Sequence, residues 1–170
     1  DSCHILNVIP DPNFGQNGKH NIYKILISYQ FNLYLWTIQY SVKNMEYILC
    51  QQSKFQFPPN RTANRILTHL ESIPSSKDDH VIAATTNIGE VYLFSSNSSS
   101  INVFANSFQA CSRGANILLF IDTNNMIIGG GDGTIKHFQF NIKIDSFQLI
   151  RGIQLKSSIN TLQRLSSNII

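Results

Sequence analysis

Glycines are concentrated in one short segment that also carries an acidic residue, a composition found in many phosphate-binding loops. The segment Gly129–Thr134 reads GGGDGT. A nucleotide-binding loop requires the pattern G-x-x-x-x-G-K-[ST] and a helix directly after it. This segment lacks the pattern and joins two stretches with strand character. We therefore predict no cofactor site here, and interpret Asp132 and Gly133 as a hairpin turn in which Gly133 supplies a positive φ angle.

Histidines and cysteines are the other residue types that could do chemistry. They are His4, His20, His69, His80 and His137, with Cys3, Cys50 and Cys111. Their spacing matches no metal-ligand pattern, and no sequence neighbour ties a cysteine to the base that a nucleophile needs. We predict no metal site, no catalytic residues and no enzymatic activity. His137 is interpreted as a hydrogen-bonded core histidine.

Composition narrows the classes of partner. Charged residues make up 14% of the 170 residues, and the net charge of +3 comes from scattered lysines and arginines. Such a chain offers no basic patch for nucleic acid. Its apolar runs are too short to span a bilayer, and three distant cysteines favour a reducing compartment. We expect a cytoplasmic protein without nucleic-acid, membrane or small-molecule partners.

Three segments align without a gap, and together they predict the fold. They are Lys24–Trp36, Ile82–Phe94 and Met126–Phe138. Each has a short apolar run, a small or polar turn, and then alternating residues that end on an aromatic. Two strands joined by a tight turn produce this pattern, because side chains alternate between the faces of a strand. No helical period extends over three turns, so an all-β protein is expected.

The distances between the aligned aromatics suggest a repeat. Trp36, Phe94 and Phe138 are 58 and 44 residues apart, and one propeller blade takes about 40–45 residues. GGGDGTI is also typical of the turn between strands of a WD-repeat blade. We predict a WD-repeat β-propeller in which these residues form three to four blades of a larger seven-bladed ring, the chain being a fragment. The three aromatics should lie between blades.

The repeat also assigns domains and turns. Residues 1–21 are expected to be a loop or the edge of a preceding blade, and residues 22–170 to be consecutive blades of one propeller domain. Ser158–Leu165 is expected to be the first strand of another blade. Gly89 and Asn32 are assigned the turn role that Asp132 and Gly133 have in the third copy.

An ordered set of motifs resembles a known family. Its members here are Thr85–Leu93 (TTNIGEVYL), Phe108–Leu118 (FQACSRGANIL), Met126–Lys136 (MIIGGGDGTIK) and Gln154–Leu162 (QLKSSINTL), with Leu33–Thr37 and Asn64–Leu67 upstream. Their order and separation are similar to those of the cilia- and flagella-associated WD-repeat family, number fifty-two. The resemblance covers roughly residues 24–165.

The resemblance implies a structural function. Members of that family lie inside axonemal doublet microtubules near the inner junction, where they contact tubulin and luminal neighbours. Ser41–Glu46, Ser75–Asp79 and Asn141–Asp145 are the candidate contact loops. Two alternatives remain: a cytosolic WD-repeat adaptor of another complex, and a propeller enzyme with its site in the central channel.

Overall fold

The computed structural model describes residues 3–10, 22–29, 32–56, 65–74, 80–96, 101–103, 107–141 and 146–164. Every regular element in these ranges is a β-strand. The strands are β1 Cys3–Pro10, β2 Ile22–Tyr29, β3 Asn32–Ser41, β4 Glu46–Gln56, β5 Leu67–Pro74, β6 His80–Thr86, β7 Glu90–Ser96, β8 Ile101–Val103, β9 Phe108–Gln109, β10 Ala115–Asp122, β11 Asn125–Gly130, β12 Thr134–Asn141 and β13 Ser146–Gln154.

The strands form three antiparallel sheets, each built from strands consecutive in sequence. Blade 1 has the order β1-β2-β3-β4, blade 2 has β5-β6-β7-β8, and blade 3 has β10-β11-β12-β13. In blade 2 the short strand β9 also pairs with β7, so β8 and β9 together supply the outer strand. The first strands of the blades lie next to each other, as β1 does to β5 and β5 to β10. Propeller blades are arranged in this way around their axis.

Two apolar cores hold the blades together, one at each junction. Leu33 and Leu35 of β3 pack in the core between blades 1 and 2, which also contains Phe94. Val91 and Leu93 lie on the opposite face of β7 and pack in the core between blades 2 and 3. Because alternate residues of one strand enter different cores, both faces of the middle blade must be apolar. The alternation in the sequence predicts this arrangement correctly.

The register of the hairpins corrects one part of the alignment. Ile82 pairs with Phe94, and Met126 pairs with Phe138. In blade 1, however, Trp36 pairs with Ile25 and not with the aligned Lys24. Only residues 30 and 31 separate β2 from β3, whereas three residues separate the paired strands of the other two hairpins. The gapless alignment is therefore shifted by one residue along β2.

The same short turn makes the assignment of Asn32 wrong. Asn32 is the first residue of β3 and pairs with Tyr29, so it is a strand residue and not a turn residue. Its side-chain Oδ1 is buried without a hydrogen-bond partner among the described residues.

Residues 3–10 differ from the expectation of a loop or the edge of a preceding blade. Cys3–Pro10 is the first strand of blade 1 and pairs antiparallel with β2 over its whole length. Residues 11–21 lie outside the described part of the chain. At the other end, residues 155–164 form no strand, which contradicts the strand predicted over the described part of Ser158–Leu165. The seven-bladed ring, the WD-repeat assignment and the fragment remain predictions.

Candidate functional site

The hairpin turn of blade 3 binds the segment that connects blades 2 and 3. Asp132 Oδ2 accepts hydrogen bonds from Ser112 N at 2.7 Å and Ser112 Oγ at 2.8 Å. Its other oxygen accepts from Thr134 N at 3.0 Å and Thr134 Oγ1 at 2.6 Å. Gly133 has a φ of 81°. Both residues therefore have the predicted turn role, and Asp132 also fixes the connection between blades.

These bonds stabilise the ionised form of Asp132. Partial burial alone would raise the pKa of this carboxyl, but the four hydrogen bonds from Thr134 and Ser112 hold it well below its usual range. The carboxylate is therefore charged at neutral pH, and it serves as an acceptor and not as an acid.

An ion pair links the hairpin turn of blade 2 to the segment that precedes β5. Gly89 has a φ of 89°, which confirms its predicted turn role. Arg65, two residues before β5, donates from Nε to Glu90 Oε2 at 2.6 Å and from Nη2 to Glu90 Oε1 at 3.0 Å. Tyr92 Oη donates to Glu90 Oε2 at 3.1 Å. The hydrogen bond from Arg65 lowers the pKa of Glu90 despite partial burial.

A glutamine contact that occurs in both blade 2 and blade 3 is not predicted by the sequence. Gln109 Nε2 donates to the carbonyls of Ile88 at 2.7 Å and Cys111 at 2.5 Å. Gln154 Nε2 donates in the same way to Asp132 O at 2.7 Å and Leu155 O at 3.0 Å. Each glutamine therefore ties the end of an outer strand to the hairpin turn of its own blade. The two glutamines are 45 residues apart, which is the only sequence signal that could have revealed them.

A backbone bond accompanies each glutamine. Ala110 N donates to Gly89 O at 2.8 Å, and Leu155 N donates to Gly133 O at 2.9 Å. The chain that leaves blade 3 thus starts along the same path as the chain that leaves blade 2.

The predicted inter-blade aromatics occupy equivalent positions but different environments. Phe94 is fully buried between blades 1 and 2, where its ring lies 5.1 Å from that of Phe55. Phe138 is buried between blades 2 and 3, 4.9 Å from Phe108. Trp36 is half-buried on the face of blade 1 that no described blade covers. The interpretation is confirmed for the two phenylalanines and stays a prediction for Trp36.

Among the candidate histidines and cysteines, His137 is held by a hydrogen bond and Cys111 is buried. His137 Nε2 lies 3.0 Å from Asn125 Oδ1, which agrees with a hydrogen-bonded histidine, but it is half-buried at the surface of blade 3 and not in the core. Burial raises the pKa of the Cys111 thiol, whose Sγ lies 3.6 Å from Thr134 Oγ1. Within the described ranges, histidine, cysteine and acidic residues form no cluster that could hold a metal ion.

Two titratable groups lie on the innermost strand of blade 2, next to blade 3. Burial lowers the pKa of His69, and it raises the pKa of Glu71 although Phe120 N donates to this carboxylate at 3.2 Å. They line a cavity of about 350 Å³ with Ile117, Leu119 and Leu162. The bond to Phe120 gives Glu71 a structural role, since it satisfies an amide on the inner edge of β10.

The most exposed apolar surface lies where β3 turns into β4. Val42, Met45, Tyr47 and Leu49 form this surface, which we call the rim patch. Met45 is 82% exposed and Tyr47 70% exposed, and the Tyr47 ring lies 5.1 Å from that of Tyr40. Met45 has a φ of 55°, unusual for a residue with a side chain. Val42 and Met45 of the rim patch belong to the predicted contact loop Ser41–Glu46. Of the other two predicted loops, only Asn141 lies within the described residues.

No family model matches the chain, and no curated protein does. Among solved structures, the crystal structure of BBS1N in complex with ARL6DN, soaked with lead, is similar to 91% of this chain with a TM-score of 0.56 and 13% identity. The matched region spans 44% of that chain, which is a β-propeller. At this identity the likeness concerns the fold alone.

The fold class follows from the blades and this likeness together. The chain is an all-β protein built of β-propeller blades, and its three sheets pack face to face as propeller blades do. Among the described residues no helix is both long and apolar enough to cross a membrane.

Proposed function

We propose that this chain is a non-catalytic scaffold that binds partner proteins, and that the rim patch is one of its contact surfaces. The observation that carries the proposal is the exposure of Val42, Met45, Tyr47 and Leu49 on one projecting hairpin. Apolar side chains grouped in this way mark interaction sites on soluble proteins. Tyrosine and methionine are also enriched in protein interfaces.

The strand beneath the rim patch favours the same role. β4 is 11 residues long and is the last strand of its sheet, so no other strand of the described residues extends the blade beyond it. An exposed apolar edge strand is a template for contact with another chain. A rigid blade can therefore present side chains and a strand edge to one partner at the same place.

The proposed setting is the axoneme of a cilium or flagellum, with tubulin and luminal neighbours as partners. The support is the ordered motif set from Thr85–Leu93 to Gln154–Leu162, which resembles the ciliary family described above. A propeller that contacts several partners at once attaches firmly to a lattice even when each contact is weak. The protein would then stabilise the doublet mechanically and support motility.

The proposal is tested by following the tagged, complete protein in ciliated cells. We expect signal along the whole cilium that remains after detergent and salt extraction. Met45→Asp combined with Tyr47→Asp should release the protein, because burying a carboxylate in an apolar contact is unfavourable. Leu149→Asp is the matched control, since Leu149 is exposed on the outer strand of blade 3.

Three results would contradict the proposal or part of it. A diffuse cytosolic signal with capture of a non-axonemal complex would favour the adaptor. Retention of the double variant would exclude the rim patch as a contact surface. Release of the Leu149→Asp control as well would show a general loss of folding, which far-ultraviolet circular dichroism checks independently.

A further inference from the structure

A cavity of about 350 Å³ lies where the innermost strands of blades 2 and 3 meet. Its polar members are His69 and Glu71 of β5. Apolar side chains form the rest of its lining: Leu70, Ile117, Leu118, Leu119 and Leu162. Sites for small ligands commonly have volumes of roughly 300–1,000 Å³ and a mostly apolar lining with a few polar groups. The cavity therefore has the size and the composition of a binding site.

His69 and Glu71 enter the junction between blades 2 and 3 together. They are two residues apart on β5, so they lie on the same face, about 6–7 Å apart along the strand. Leu70, between them, packs in the core between blades 1 and 2, which directs its two neighbours towards blade 3. Phe120 N of β10 donates to Glu71 Oε2 at 3.2 Å, and this bond shows the contact across the junction directly.

Both polar side chains have acceptor atoms that the described residues leave unpaired. His69 Nδ1 is buried without a hydrogen-bond partner among them. Phe120 N is the one described donor to the Glu71 carboxylate, and it bonds to Oε2, so Oε1 stays available. In the same ranges no lysine or arginine forms an ion pair with Glu71. Because an acceptor removed from water without a donor is costly, these atoms point to a ligand that donates hydrogen bonds.

The charges of the two side chains favour a ligand that is also a cation. Burial lowers the pKa of His69, so its imidazole is neutral at pH 7 and supplies no positive charge to its neighbour. Burial raises the pKa of Glu71, because a carboxylate that is taken from water without a counter-ion is destabilised. A cation in the cavity would stabilise the ionised carboxylate.

Two polar contacts hold the walls of the cavity in place. Thr68 of β5 donates through Oγ1 to the carbonyl of Ala115 in β10. Asn116 donates through Nδ2 to the carbonyl of Ile159 at 3.2 Å, in the segment that carries Leu162. Walls that are fixed before a ligand arrives lower the entropic cost of binding.

We propose that this cavity binds an organic cation that carries N–H donors on an aliphatic stem, the chemistry shared by a lysine side chain and a free alkylamine. The cation pairs with the carboxylate of Glu71 and donates to the neutral imidazole of His69. Its stem packs against Leu119 and Leu162, as the stems of long cationic side chains pack on apolar surface. The site lies at the inner edge of the blades, so it is independent of the rim patch on β3 and β4.

Other classes of ligand fit the cavity less well. Structural and catalytic zinc sites have three or four protein ligands, and the described histidines, cysteines and acidic residues supply no third ligand beside His69 and Glu71. An anion would be repelled by the carboxylate. A neutral apolar ligand would enclose Glu71 without a partner, which is unfavourable.

The test compares a charged and a neutral ligand of similar length on the complete protein. Titration calorimetry should show that pentylammonium binds at least about tenfold more tightly than pentanol. Glu71→Gln should abolish this preference while pentanol still binds, because glutamine keeps the cavity volume and an oxygen acceptor for Phe120 N. Asp122→Asn is the control, since it removes the same charge from an exposed position at the end of β10, and it should keep the preference.

Two further measurements assign the imidazole and the source of the cation. His69→Leu should reduce the preference for pentylammonium, because the acceptor is lost, and an unchanged preference would overturn the role of the imidazole. An alanine pentapeptide with a central lysine is compared with the same peptide carrying norleucine. If the lysine peptide binds more tightly than pentylammonium, a partner protein supplies the cation; if it binds more weakly, a free amine does.

Three results would overturn the cation site. The first is equal affinity for pentylammonium and pentanol in the unaltered protein. The second is an equal loss of preference in Asp122→Asn and Glu71→Gln, which would show a general effect of net charge. The third is binding of zinc that requires both His69 and Glu71 and displaces pentylammonium, which would make the cavity a metal site.

Discussion

At the residue scale, different side chains fix the connections between blades at the two turns. In blade 3 a turn aspartate accepts from backbone and hydroxyl groups of Ser112, while in blade 2 Glu90 accepts a bidentate pair from Arg65. Both acceptors are carboxylates, so both junctions depend on ionised groups. The side-chain burial of Arg65 and Glu90 limits how much solvent screens their pair.

This dependence predicts that acid destabilises the fold. The pKa values of Asp132 and Glu90 are lowered by their partners, so their contribution is present above the unfolded values of roughly 3.9 and 4.3 and is lost as the pH falls towards the folded values. The free energy of unfolding, measured by urea at several pH values, should decline below about pH 4.

Substitutions separate this effect from general acid denaturation. Asp132→Asn combined with Glu90→Gln should lower stability at pH 7 and flatten the decline in acid. Glu46→Gln is the control, because Glu46 is exposed and its carboxylate accepts a hydrogen bond from Asn44 of its own hairpin, away from both junctions. An unchanged acid profile in the double variant would refute the assignment.

The aligned aromatics should differ in what they contribute. Phe94→Ala removes a fully buried ring between two blades and should cost about 3–5 kcal/mol of unfolding free energy. Trp36→Ala removes a half-buried side chain and should cost less. Urea denaturation of both variants of the 170-residue chain measures this order. Equal losses would show that a partner of some kind covers Trp36 in solution.

At the element scale, the sequence predicts strands well where a copy can be aligned. All four strands of blade 3 and both central hairpins of the other blades follow from alternation and turn residues. Cys3–Pro10 was not predicted, because it has no aligned copy and is followed by a segment rich in proline and glycine. Strand pairing with β2 is a tertiary contact, and local residue types do not specify it.

The contacts between elements were harder to predict than the elements. Asp132, Gly133 and Gly89 have recognisable turn chemistry, and the structure confirms them. Gln109, Gln154, Thr68 and Asn116 carry no such signal, because their role depends on which carbonyl groups the folded blades place within reach. The prediction for Asn32 is wrong for the opposite reason. Asparagine is common in turns, but the strand register makes Asn32 the first residue of β3.

Turn geometry predicts unequal effects of adding a methyl group. Gly89→Ala should destabilise the chain by roughly 1–3 kcal/mol, because φ is positive and the new Cβ would lie 1.9 Å from Cys111 O. Gly152→Ala, in the middle of β13, should be tolerated, since its nearest neighbour would be 3.6 Å away. Thermal unfolding followed by circular dichroism compares the two. A tolerated Gly89→Ala would mean that the blade 2 turn adopts another conformation in solution.

At the scale of the whole molecule, the described residues form an open stack of three blades. Within the described ranges only blade 2 is covered on both faces, and the outer faces of blades 1 and 3 carry Tyr34, Trp36, Ile135 and Ile153. The rim patch adds exposed side chains at the edge. The glutamine and backbone contacts at the turn of blade 2 recur at the turn of blade 3, as expected for a repeat in which each unit packs on its neighbours.

We therefore expect the 170-residue chain, expressed alone, to self-associate. Uncovered blade faces and the outer edge of β4 both offer surface to other chains, and burying apolar area is favourable at about 25 cal/mol per Å². Sedimentation velocity over a range of concentrations should show species larger than a monomer. Trp36→Lys should reduce association by placing a charge on the open face of blade 1, whereas Thr123→Lys, at an exposed turn of blade 3, should not. A monomer with one cooperative unfolding transition at every concentration would show that the chain covers these faces by itself.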